Sequence, residues 1–160
     1  MNRYAVALTT ANSVQFLPLG SILTPYQDEF AFAMEPDWNG RGAIRLEGKV
    51  LKLADRLLSK YATSMYLVEV APSKKGSLSF VWEDGDGNYI YLDIGPNETL
   101  HLYYKLIDGR KWEGVSLASD QRIIDHLVRA FSFVRTQNVS AESIVFPGGT
   151  SNRRERLVSV

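Results

Sequence analysis

The chain contains no cysteine, which removes disulfides, thiol nucleophiles and zinc–thiolate sites together. It has two histidines, so a metal site would have to rest on carboxylates. No apolar run approaches the roughly 18 residues that a bilayer-spanning helix needs. Neither sign of charge is in excess: Lys plus Arg number 18, as do Asp plus Glu, for a formal net charge of zero. A polycation that holds nucleic acid by bulk charge is therefore disfavoured. Internal repeats and low-complexity linkers are also missing. No cofactor and no metal is expected.

What is present is a composition with 45% apolar and 22% charged residues, that of a folded domain and not of a disordered tail. At 160 residues a single domain is expected, burying about two-thirds of its unfolded surface. Arg3 precedes the mildly apolar Tyr4-Ala5-Val6-Ala7-Leu8, but that run stops at Thr9 and Thr10, short of the apolar core of a signal peptide. It reads as a short strand or entry segment, and a cytoplasmic chain is expected.

Residues 1–43 show no sustained period and hold Pro18, Gly20, Pro25, Pro36, Gly40 and Gly42, so they read as an irregular arm across an edge of the core. Within the arm, Thr24 before Pro25 is placed to cap a helical turn through Phe30 and Met34. The core is expected over residues 44–134. From Glu47 to Tyr61, apolar Val50, Leu51, Leu53, Ala54, Leu57, Leu58 and Tyr61 recur at helical spacing. Lys49, Lys52, Arg56 and Lys60 fall on the other face as a basic stripe; with a neutral total, this reads as a hydrated surface, and direct nucleic-acid binding is not expected. A second helix is predicted over 120–134, with Ser119 as its cap and Ile123, Ile124, Leu127, Val128, Phe131 and Val134 as its stripe. Residues 135–160 read as a partly ordered tail.

Between the helices the period is two. Tyr66–Ala71 reads as a strand, followed by segments in which Leu78, Phe80 and Trp82, then Ile90, Leu92 and Ile94, then Leu100, Leu102, Tyr104 and Leu106 alternate with more polar residues. The short links Asp84–Asn88 and Gly95–Glu98 suit hairpins and are too short for a parallel crossover. Trp112–Leu117 is a candidate edge strand. The expected fold is α+β: an antiparallel four- to five-stranded meander with two helices packed on one face.

Asp84, Asp86 and Asn88 alternate like the first ligands of a calcium loop, but Tyr89 stands where that loop needs glycine and Gly95 where it needs an acid; a type I′ or related hairpin turn explains the same residues. Gly114-Val115-Ser116-Leu117-Ala118 loosely matches a nucleophile elbow, yet no base and acid converge on Ser116 by spacing, and no catalytic residue is assigned. If the leucines and isoleucines face the helices, Tyr89, Tyr91, His101, Tyr103 and Lys105 gather on the opposite face, where tyrosines serve well as interface anchors. Cover by the N-terminal arm or the tail is the competing reading, and stacking of single-stranded bases lacks a dense basic groove. Glu83, Asp84, Asp86, Asp93 and Glu98 give residues 83–98 a net charge of −5, against +2 for residues 135–160, and are expected as an acidic rim at one end of the meander.

Pro36-Asp37-Trp38-Asn39-Gly40-Arg41-Gly42-Ala43, followed by a helix and by Leu78-Ser79-Phe80-Val81-Trp82-Glu83, resembles a group of small bacterial and prophage proteins sharing Trp, Asp or Asn, Gly, any residue, Gly, Ala, then a helix and a strand ending in Trp. The likeness covers about residues 30–106; Arg45 and Leu46 stand in place of a proline and an isoleucine common in the group. Members often lack an obvious catalytic set and lie in mobile-element or defence-related gene neighbourhoods, which implies partner binding. The motif also has a plain physical reading as a structural latch: Trp38 inserts as a large anchor while Gly40 and Gly42 allow positive φ or close backbone approach, letting a compact loop turn into the helix. The function expected is a non-enzymatic module that binds a protein, a second copy of itself included, through the tyrosine face with Asp84 and Asp86. The alternatives are a prophage-encoded, anti-CRISPR-like inhibitor of a nucleic-acid defence system and a small hydrolase using His101 and Ser116.

Overall fold

The computed structural model describes Leu17, residues 20–62 and residues 69–148, with the backbone alone for residues 136–148. Five antiparallel strands, β1 (Glu69–Pro72), β2 (Leu78–Glu83), β3 (Tyr89–Ile94), β4 (Thr99–Lys105) and β5 (Lys111–Leu117), form one sheet whose spatial order is the chain order. Among the described residues three α-helices accompany it: α1 (Gln27–Phe30), α2 (Gly48–Tyr61) and α3 (Gln121–Gly148). The meander and the α+β class are as the periodicity predicts. The first half of the predicted strand, Tyr66–Val68, lies outside the described residues.

The four hairpins are closed in the same way. The amides of Ser73, Asp84, Gly95 and Leu106 donate to the carbonyls of Ser77, Asn88, Thr99 and Arg110, so each loop is three residues long. In three of them the last loop residue is a glycine at positive φ (Gly76, Gly87, Gly109); in the third hairpin Asn97 and Glu98 take that conformation at φ 59°. At Asp84–Asn88 this is the three-residue glycine-bulge loop, a hairpin turn related to the expected type I′ form but not that form itself, because type I′ needs two successive residues at positive φ and only Gly87 supplies one. Each closing pair continues the strand register without a slip, as with Leu78 opposite Ile94 and Tyr89 opposite Lys105.

An odd loop length has a simple consequence for a side-chain period of two. Paired residues keep the same parity, so even-numbered residues of all five strands share one face and odd-numbered residues the other. The even face is the core: Leu78, Phe80, Leu92, Ile94, Leu100 and Leu102 are fully buried. Helix α2 covers it with Val50, Leu51, Leu53, Ala54, Leu57 and Leu58, and α3 with Ile123, Leu127, Ala130, Phe131 and Val134. Trp82 stacks along Phe80 at 6.0 Å between ring centroids and meets Phe131 in a T-shaped contact at 4.8 Å, tying α3 to the sheet. Each such buried aliphatic or aromatic side chain contributes roughly 1.5–3 kcal/mol.

Three details of the helices differ from the sequence-based expectation. The helical stretch in the arm runs from Thr24 to Met34 as α1 between two 3-10 turns, but Thr24 does not cap it. Leu23 just before this stretch and Phe30 and Ala33 within it belong to the core cluster. At the start of α3 the cap is Asp120, not Ser119: its Oδ1 accepts the Arg122 amide at 3.0 Å. Its carboxyl is held down to about 2, first by the Ser116 hydroxyl and then by Arg122. Helix α3 also continues past 134 through Gly148, since the first strong breakers after Arg135 are Pro147 and the glycines beside it.

On the even face at the β5 edge, Trp112 lies flat against His126 of α3, 3.9 Å between centroids and 10° between planes. The buried Tyr104 hydroxyl meets His126 Nδ1 at 3.0 Å. The indole lies over Gly114, where an added Cβ would come within 2.4 Å of the ring. Gly114→Ala should therefore displace Trp112 from His126 and cost about 1–3 kcal/mol in denaturant unfolding. Burial first, and Arg129 second, hold His126 below its ordinary pKa of 6.5, with Asp125 opposing. The folded chain thus binds fewer protons at this site than the unfolded chain, so its contribution is complete above pH 6.5 and is lost as pH falls below it. Unfolding midpoints at pH 8 and pH 5.5 should show that decline, and His126→Gln should flatten it.

Candidate binding surface

The odd-numbered residues of β2–β5 form three full rows across the outer face, with the pair Thr99 and Leu117 beyond them at one end. One row reads Glu83, Tyr89, Lys105, Lys111; the next Val81, Tyr91, Tyr103, Glu113; the third Ser79, Asp93, His101, Val115. Tyr89, Tyr91, His101 and Tyr103 are half-buried and Lys105 exposed, whereas their even-numbered neighbours are buried. The structure therefore brings together all five of the residues predicted for this face. The rings lean along the sheet diagonal and not straight across it: Tyr89 meets Tyr103 at 5.8 Å and Tyr91 meets His101 at 5.5 Å.

Several polar contacts hold this surface in shape. His101 Nε2 lies 2.8 Å from Glu113 Oε1 on the adjacent strand. Asp93 accepts the Ser77 hydroxyl at 2.8 Å, and Ser77 in turn lies 2.7 Å from the Ser73 hydroxyl. The Tyr91 phenol is pushed up from its usual value, first by burial and then by Asp93 and Tyr89, so at neutral pH it is a neutral donor. Glu113, Val115 and Leu117 belong to the same face, the last two 64% and 52% exposed, and the sequence reading overlooked them. Their signal was present in the alternation of Lys111, Glu113, Val115 and Leu117, masked by treating the segment only as an edge strand.

The acidic rim is not one feature. Successive turns of an antiparallel meander lie at opposite ends, so Glu83, Asp84 and Asp86 sit at one end while Glu98 sits at the other. The first end is shared with Lys105, Asp108, Arg110 and Lys111, which mixes its charge. Asp84 is engaged by its own turn: its carboxylate accepts the amides of Asp86 at 3.1 Å and Asn88 at 2.9 Å and the Asn88 side chain at 2.7 Å. Asn88, nearly fully buried, then accepts the Ile107 amide at 2.9 Å and links the two neighbouring loops. Asp86 is exposed.

Ser116 and His101 have opposite parity and stand on opposite faces of the sheet, so the elbow and its named base do not meet. The Ser116 hydroxyl donates to Asp120 at 2.7 Å. Among the described residues no group of three His, Asp or Glu side chains converges in a metal-binding arrangement, and no helix is long and apolar enough to cross a membrane.

The Trp38 loop is fastened from within. Asn39 Oδ1 accepts the amides of Arg41 at 2.9 Å and Ala43 at 3.2 Å, and the Asp37 carboxylate accepts the Gly42 amide. Gly40 and Gly42 sit at φ 66° and 77°, which lets the chain reverse tightly enough for those bonds. Trp38 packs against the core, edge-on to Phe32 at 5.4 Å. The loop then leads into α2 through the Leu46 amide bonded to Ala33 at 2.7 Å. Asp37 completes this clasp, a role its position beside the motif did not reveal.

Asn39→Ala should leave the Arg41 and Ala43 amides without their side-chain acceptor and lower stability by about 1–2 kcal/mol in denaturant unfolding, while the outer face keeps its binding properties. Comparison of the chain with protein-family models, with curated proteins and with solved structures gives no match.

Proposed function

We propose that the chain is a protein-binding module, not a catalyst, and that its working surface is the outer face of the sheet. The observation that supports this most directly is the set of half-buried rings Tyr89, Tyr91, His101 and Tyr103, held in register on one face while the alternate residues form the core. Tyrosine presents a large, stiff, amphipathic surface at low entropic cost, and a polar fringe of Glu83, Asp93, Lys105, Lys111 and Glu113 gives that surface direction. The separation of Ser116 from His101 supports binding over the hydrolase reading. The resemblance of the Trp38 loop and the Trp82 strand to small bacterial and prophage proteins supports a partner-binding role in a mobile-element or defence-related locus. The loop itself serves as the clasp that positions α2.

The test is Y89A/Y91A/Y103A. Because these side chains lie opposite the core, the variant should unfold cooperatively, while its affinity for protein partners captured by the native chain falls at least tenfold, as expected when central aromatic anchors are truncated. Unchanged association in a folded variant would discard the reading.

A further inference from the structure

We propose that the occupant of the outer face is a second copy of this chain, joined face to face about a two-fold axis that runs parallel to the strands between β3 and β4; this rests on the reading of the outer face as a binding surface. The argument begins with an imbalance inside the monomer. Lys105 and Lys111 are direct cross-strand partners on the exposed face, an arrangement that is unfavourable by itself. Neither makes an ion pair among the described residues, and neither does Glu83 at the far end of the same row. Glu83 and Lys111 stand on β2 and β5, three strand spacings apart, or about 14 Å, too far to meet within one chain.

A two-fold axis along the strands lays β2 of one copy over β5 of the other and β3 over β4, with each row facing itself. Glu83 then opposes Lys111 of the second copy, and Tyr89 opposes Lys105. Tyr91 opposes Tyr103, and Asp93 opposes His101. Val81 opposes Glu113, whose carboxylate keeps His101 of its own chain at 2.8 Å, and Ser79 opposes Val115. Every pair occurs twice, and two of the charges that lack an ion pair among the described residues, Glu83 and Lys111, fall together. The alternative axis, in the interface but perpendicular to the strands, would set Glu113 against Glu113 and Lys105 against His101. The charge pattern thus selects the first arrangement. Aligned sheets stack about 10 Å apart with a modest twist, which suits half-buried tyrosine rings as the filling between them.

Charge reversal tests the pairing. Sedimentation should show the native chain in a concentration-dependent equilibrium between the 18.0 kDa monomer and a species of twice that mass. E83K and K111E, both at exposed positions, should each weaken dimerisation about tenfold by opposing like charges. The double variant E83K/K111E should restore the native affinity to within about threefold, because each new lysine meets the new glutamate of the other copy. A chain that stays monomeric, single reversals without effect, or a double variant no better than the singles would overturn the proposal. If the native chain is monomeric yet Y89A/Y91A/Y103A loses a different protein partner, the binding-surface reading stands and only the second copy fails. If the triple variant alters no association of any kind, both fall.

Discussion

Side-chain alternation is the constraint on which the molecule depends. A strand turns every second residue to the same side, and four loops of equal, odd length carry that parity from Glu69 to Leu117 without interruption. The core and the outer face are therefore two readings of one numbering. Leu92 is buried for the same reason that Tyr91 and Asp93 are not. The helices respond to this division and do not create it: α2 and α3 cover the side on which Phe80, Leu92 and Leu102 stand.

Much of this was legible in the residues. The spacing of Val50, Leu51, Ala54, Leu57 and Leu58 specified α2, and the alternation through Ile90, Leu92, Leu100 and Leu102 specified which residues share a face. The grouping of Tyr89, Tyr91, His101 and Tyr103 followed from that alternation once the links were recognised as hairpins. What alternation cannot encode is the end of the sheet at which a residue lies. Glu83 and Glu98 are close in sequence and equally acidic, yet the full length of β3 runs between them and puts them at opposite ends. The acidic rim failed for that reason.

Polar side chains with local backbone roles were the least visible from sequence. Asp84 has the spacing of a ligand but binds its own turn, Asp120 takes the capping place that Ser119 also suits, and Asp37 clasps a loop whose Trp and glycines drew attention first. In each case a short carboxylate finds amides two to five residues away before it can find a ligand or a partner. The end of α3 was misplaced for a related reason: a polar segment after Arg135 reads as a tail when its helical propensity is ignored.

The equal hairpins also bear on how the chain reaches this structure. Each strand pairs only with its neighbour in sequence, so the loop closed at every step is three residues long and the entropy lost per closure is small. Such low contact order favours rapid assembly of the sheet by successive zipping, with the costliest step left to the longer-range docking of α3, where Phe131 must reach back to Trp82.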